Sequence, residues 1–145
     1  MFNNPLFYIF TPVILAIILN LIIYSFKWNK NEPNPYLPPG YVIGIVWIII
    51  FGLLGYAYYL ILNERNKITL GSISIILMIL FCLLYPFLTG GFNNKYISRL
   101  LNMLTLIFSI IVGFIIFSES KYIYLYIIPL ILWSLYVNIT DFLGK

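Results

Sequence analysis

The sequence predicts an all-α, polytopic membrane protein, a bundle of five transmembrane helices, and three observations carry that prediction. Of its 145 residues, 63% are hydrophobic and 8% are charged, with a mean hydropathy of +1.03. Soluble domains carry about 25% charged residues, and eight bases with four acids cannot cover the surface of a 16.9 kDa globule. The charges also fall into punctuating groups, as they must when each one near the bilayer centre costs at least ~2.5–3.5 kcal/mol. Finally, the apolar runs between those groups are continuous and not alternating, which disfavours barrel strands of about 9–11 residues. At roughly 20 residues per crossing the chain is filled by its spans, so residues 1–145 read as a single membrane domain.

The first span, 6–26, ends at Lys27, Lys30 and Glu32. No Lys or Arg precedes it and no small-x-small cleavage site follows, so it reads as a retained helix and not as a secretory signal. The second, 41–62, is closed by Glu64, Arg65 and Lys67, and the third, 68–88, precedes Lys95 and Arg99. The fourth, 100–117, stops at Glu119 and Lys121, and the fifth, 122–143, is followed by Lys145. Short connections make successive helices antiparallel neighbours. The first loop, third loop and C-terminus then share one side with five bases, against three on the other. The positive-inside rule puts that side, including the first loop and the C-terminus, in the cytoplasm and the N-terminus outside it.

The first loop, 27–40, differs from the others by holding four prolines, Pro33, Pro35, Pro38 and Pro39. Proline fixes φ and biases its predecessor toward extended backbone, so the loop is stiff and suited to act as a lid. Pro38 and Pro39 serve equally well simply to start the second helix, where a missing N–H costs nothing. In that helix Gly40, Gly44, Gly52 and Gly55 lie near one face, while Trp47 and Phe51, four apart, share another. The glycines allow close approach of a neighbouring helix, and Gly40-x-x-x-Gly44 would also permit a homodimer. Trp47 lies deeper than an aromatic anchor at the headgroups would.

Tyr36-Leu37-Pro38-Pro39-Gly40, then Ile43-Gly44-Ile45-Val46-Trp47 and Phe51-Gly52, together with Pro129-Leu130-Ile131-Leu132-Trp133-Ser134-Leu135-Tyr136, resemble the translocator protein, or tryptophan-rich sensory protein (TspO/MBR), family. The resemblance runs to length, five spans and a long first loop, with Tyr36 in place of a loop tryptophan. Two departures are clear. Where the family usually has Asn-x-x-Trp in its third helix, this chain has Cys82-Leu83-Leu84-Tyr85-Pro86. Where many members carry an acidic residue in the fourth helix, it has Asn102.

The resemblance implies an integral membrane protein that binds a flat hydrophobic ligand, porphyrin-like in preference to a sterol, between helices beneath the first loop. Trp47, Phe51, Tyr85 and Trp133 would supply aromatic faces, Trp28, Tyr36, Pro38 and Pro39 the cap, and Asn102 and Asn138 polar contacts. The two asparagines are as well explained by interhelical hydrogen bonds. The sterol-associated pattern is absent, since Tyr136 is followed by no Lys or Arg before Lys145. A small-molecule transporter or a subunit of a membrane complex is the alternative reading.

Composition removes other classes. With no histidine, histidine-ligated metal, axial haem ligation by histidine and histidine base catalysis are excluded; a bound porphyrin or haem would be a stacked ligand, its propionates near loop bases such as Lys30, and no cofactor is expected. The lone Cys82 lies in an apolar run, forms no intrachain disulfide and reads as a small buried hydrophobe. No cluster of bases points to nucleic acid. No carboxylate pair or activated nucleophile points to an enzyme. The expected partners are the lipid bilayer and a hydrophobic small molecule.

Overall fold

The computed structural model describes residues 4–25, 40–65, 67–92 and 95–143. Among them the chain is all-helical: α1 (Pro5–Ser25), α2 (Gly40–Arg65), α3 (Leu70–Phe92), α4 (Lys95–Glu119), the four-residue α5 (Lys121–Tyr124) and α6 (Ile128–Leu143). Pro5–Ile22, Val42–Glu64, Tyr96–Glu119 and the α5–α6 stretch Lys121–Leu143 have the length and hydropathy to cross a bilayer, and Leu70–Tyr85 is a shorter apolar stretch within α3. A chain with four to five such helices is a polytopic integral membrane protein. The lid-like loop, with Trp28, Tyr36, Pro38 and Pro39, lies outside the described residues.

Local chemistry sets the helix starts. Asn4 accepts the Leu6 N–H at 3.0 Å and Pro5 takes the first helical position, a side-chain cap followed by a residue that has no N–H to leave unpaired. At α3, Thr69 and Ser72 cap each other: the Ser72 N–H donates to Thr69 Oγ1 at 3.2 Å and the Thr69 N–H to Ser72 Oγ at 2.9 Å. This moves the start of the third helix from 68 to Leu70. The fourth helix begins at Lys95, five residues before its apolar run. Hydropathy marks the hydrocarbon-embedded part, whereas the backbone stays helical beyond it.

The fifth span departs from the continuous helix expected over 122–143. The backbone tightens to i→i+3 bonds at Leu125, Tyr126 and Ile127, which donate to Tyr122, Ile123 and Tyr124 at 3.3, 3.0 and 2.9 Å. Pro129 is the cause. It has no N–H for the Leu125 carbonyl and its ring collides with that carbonyl in regular α geometry, so the helix breaks four residues upstream.

The helices pack in chain order, α1 on α2, α2 on α3, α3 on α4 and α4 on α6, with α1 also touching α3. Their faces are sorted by polarity. On α4 the buried face carries Leu101, Asn102, Thr105, Ser109, Val112 and Ile116, and the outer face Leu100, Leu104, Ile107, Ile111 and Phe114. On α3, Ser72, Ser74, Ile75, Met78 and Cys82 face inward while Ile73, Ile76, Leu77, Leu80 and Leu84 face outward. The polar and small side chains thus fall on the inner faces, beside buried Ile75, Met78, Leu101 and Ile116, as expected where lipid gives no hydrophobic force for association and small or polar groups let helices meet.

The glycine face of α2 is used in part. A Cβ at Gly55 would land on the Tyr8 carbonyl oxygen, and one at Gly52 would make ordinary contact with Ile9 and Val13 at 3.6 and 3.7 Å. Gly44 has nothing within 4 Å of that position, so the expected close approach holds for the second half of α2 and not at Gly44. Tyr8 explains the contact at Gly55. The helical donor for its carbonyl would be residue 12, which is Pro12, and the carbonyl lies against Gly55, where no side chain stands in its way. The Tyr8 ring packs between Tyr58 and Tyr59, with centroids at 5.8 and 5.6 Å.

Candidate functional site: an apolar groove between α2 and α6

An open groove of about 360 Å3 lies between α2 and α6. One wall is Val46, Ile49 and Ile50; the other is Pro129, Leu132, Trp133 and Tyr136. Each set follows helical spacing, i, i+3, i+4 on α2 and i, i+3, i+4, i+7 on α6, so each is a single stripe of its helix. The Trp133 and Tyr136 rings stand 5.5 Å apart at 39°, giving the α6 wall a broad aromatic surface against an aliphatic wall on α2. Trp133 Nε1 is buried without a hydrogen-bond partner. The break at 125–127 ends beside the groove, because Pro129 both causes the break and lines the cavity.

The remaining candidates fall in two places. Trp47 and Phe51 pack on each other at 5.7 Å and 36°, but on the inner side of α2: Phe51 is 4% exposed and Trp47 packs against the core. The α2 wall of the groove is the neighbouring aliphatic stripe. Tyr85, Asn102 and Asn138 meet in a polar cluster that joins three helices. Tyr85 Oη donates to Asn102 Oδ1, and Asn102 Nδ2 donates to Asp141 Oδ2. Asn138 Nδ2 donates to the Asn102 carbonyl at 3.0 Å and to the Ser134 carbonyl at 2.7 Å. Both asparagines are thus engaged in bonds between helices, the second of the two roles open to them from the sequence.

Sequence reasoning did not single out Pro129, Tyr136 or Asp141 as site residues. Tyr136 had a signal, since it stands three residues after Trp133 and therefore on the same face. Val46, Ile49 and Ile50 had none, being indistinguishable in sequence from aliphatic residues that face lipid. Among the described residues no group of three or more His, Cys, Asp and Glu side chains is arranged to hold a metal.

A comparison with curated proteins finds no match to this chain. The family comparison does: residues 8–142 match the model of the TspO/MBR family. That match spans α1 through α6, including the proline-led second helix and the Pro129–Tyr136 segment that forms one groove wall. The chain therefore belongs to the TspO/MBR family.

Proposed function

We propose that the protein binds a flat hydrophobic ring ligand, porphyrin-like in preference to a sterol, in the groove between α2 and α6, acting as a membrane sensor or carrier and not as an enzyme. Family membership makes it a membrane protein of ligand-binding or transport type, and the groove supplies the chemistry. The carrying observation is an apolar cavity with Trp133 and Tyr136 on one wall and only aliphatic side chains on the other. In lipid, a ligand gains little from leaving the bilayer and most from shape and aromatic contact, each good aromatic pairing contributing about 0.5–1.5 kcal/mol. The volume falls at the lower end of the ~300–1,000 Å3 usual for ligand sites, so a tetrapyrrole would lie partly outside the groove. The first-loop residues Trp28, Tyr36, Pro38 and Pro39 would cover that part, with Lys30 beside its propionates.

The test is a titration of detergent-solubilised protein with protoporphyrin IX, followed by tryptophan fluorescence. Saturable quenching that weakens in Trp133→Ala is the expected result. The assignment fails if the variant binds as the parent does, or if binding never saturates.

The break at 125–127 favours a second reading, transport, because discontinuous helices often adjoin the substrate site of transporters. Porphyrin flux into proteoliposomes separates the two: a carrier gives flux, a sensor gives binding alone. A homodimer would use the open Gly44 face of α2. The orientation with the first loop and C-terminus in the cytoplasm is part of the same proposal.

A further inference from the structure

The two walls of the groove are held by different neighbours. α2 rests on α1 and α3, whereas α6 rests on α4. At the break α2 also meets α5, with Tyr56 against Tyr126 at 5.2 Å, so the near end of the last span is pinned to α2 and the lie of α6 beyond it is set by where α4 holds it. We propose that Asn102 and Asp141 are positioning residues of the groove, an amide–carboxylate fastener that fixes where the Trp133–Tyr136 wall stands.

Three observations support the assignment. First, the pair joins the two helices directly, Asn102 Nδ2 on α4 donating to Asp141 Oδ2 on α6, and Asn138 adds a second bond from α6 to the Asn102 carbonyl. Second, the amide has one orientation: the Asp141 carboxylate only accepts, so Nδ2 must face it, and Oδ1 is left to accept from Tyr85 Oη. Tyr85 thereby ties the pair to α3, the helix that packs on α2, and so links both walls. Third, Asn102 is 7% exposed; between helices in lipid, where apolar contact alone does not select a register, a satisfied polar pair does. Asp141 is eight residues from Trp133 on one rigid helix, about 12 Å along its axis, so a shift at the fastener is carried to the wall. The sequence already hints at the pairing. Where many family members carry an acidic residue, this chain has Asn102, and the carboxylate comes from the facing helix.

The inference rests on the groove reading for its ligand readout, and a second readout is independent of it. Affinity is followed through the Soret band of protoporphyrin IX. The position of the wall is followed without ligand through Trp133 emission in a W28F/W47F background, where Trp133 is the remaining tryptophan. Asp141→Asn exchanges a charged acceptor for a neutral one and is expected to weaken binding about three- to fivefold. Asn102→Leu removes both of its side-chain bonds and is expected to weaken it about tenfold or more and to shift Trp133 emission. The N102D/D141N exchange reverses donor and acceptor across the same interface and is expected to restore emission and bring affinity to within about twofold of the parent.

Unchanged Trp133 emission and affinity in Asn102→Leu would overturn the proposal. So would an exchange variant as defective as Asp141→Asn; should Asn102→Leu not fold, these near-isosteric variants still decide. If no variant, the parent included, binds protoporphyrin while Trp133 emission still follows the pair, the fastener stands and the ligand reading falls.

Discussion

Replacing Gly55 with alanine tests the packing of α1 on α2 at its tightest point. The added Cβ would fall on the Tyr8 carbonyl oxygen, 2.9 Å from the Tyr8 carbonyl carbon and 3.2 Å from the Ile9 Cα. These are backbone atoms of a helix and cannot swing aside, so α1 must move bodily, by about 1.3–1.6 Å, to reach an ordinary C···O separation of about 3.3–3.6 Å. Overpacking of this kind costs about 1–3 kcal/mol. The overlap is with backbone, so the cost lies in the upper part of that range, about 2–3 kcal/mol; alanine recovers about 0.5–1 kcal/mol of helix propensity, so the net loss is about 1–2.5 kcal/mol. For a chain of this size each kcal/mol corresponds to about 2–4 °C in Tm, giving an expected drop of about 2–10 °C. Cys82 is the single cysteine, free and buried, so a thiol-reactive maleimide dye reports unfolding in detergent directly. Gly44→Ala is the control, because nothing lies within 4 Å of its Cβ position and only the propensity gain remains. A Gly55→Ala protein that melts with or above the parent would refute the account of the α1–α2 contact.

Two further outcomes follow from single contacts. Gly71→Ala puts a Cβ on the Glu119 carboxylate and 2.9 Å from Ile61 Cδ1; both are ends of flexible side chains, so the same melting assay should show a smaller loss than Gly55→Ala, about 1 kcal/mol or less. Ser134 is 4% exposed and its hydroxyl has no partner, so Ser134→Ala removes an unsatisfied polar group and should leave Tm unchanged or raise it by the equivalent of up to ~1 kcal/mol; a clear fall would mean that the hydroxyl is bonded.

Much of the architecture was legible because the bilayer imposes a simple rule on charge. Lys27, Glu64, Lys95 and Glu119 flank their spans where the cost of burying them in hydrocarbon requires, and the helices α1 to α4 fall within a few residues of the runs so marked. The exceptions are local. Thr69 and Ser72 moved the start of α3 by capping each other, and Pro129 broke the last span because the missing N–H and the ring act on a carbonyl four residues away. Pro12 sits inside a continuous α1, where the carbonyl it leaves without a helical donor, that of Tyr8, lies against Gly55.

The site was legible to a different degree. Trp133 was marked by residue type and by its place in the Pro129–Tyr136 segment, and it does line the groove. Trp47 and Phe51 were marked in the same way, yet they turn to the inner side of α2, since hydropathy around a lipid-solvated helix does not distinguish a cavity from the bilayer.

By itself the sequence determined the solvent, the spans and the family resemblance, because these depend on composition and on short motifs read along one strand of chain. Only the tertiary structure decided which faces meet. The Asn102–Asp141 bond joins residues 39 apart in sequence, and the groove joins the first half of α2 to α6. Neither follows from any local pattern, because in a membrane both the helix that packs and the helix that faces lipid are apolar, and only the relative rotation and placement of the helices separates the two.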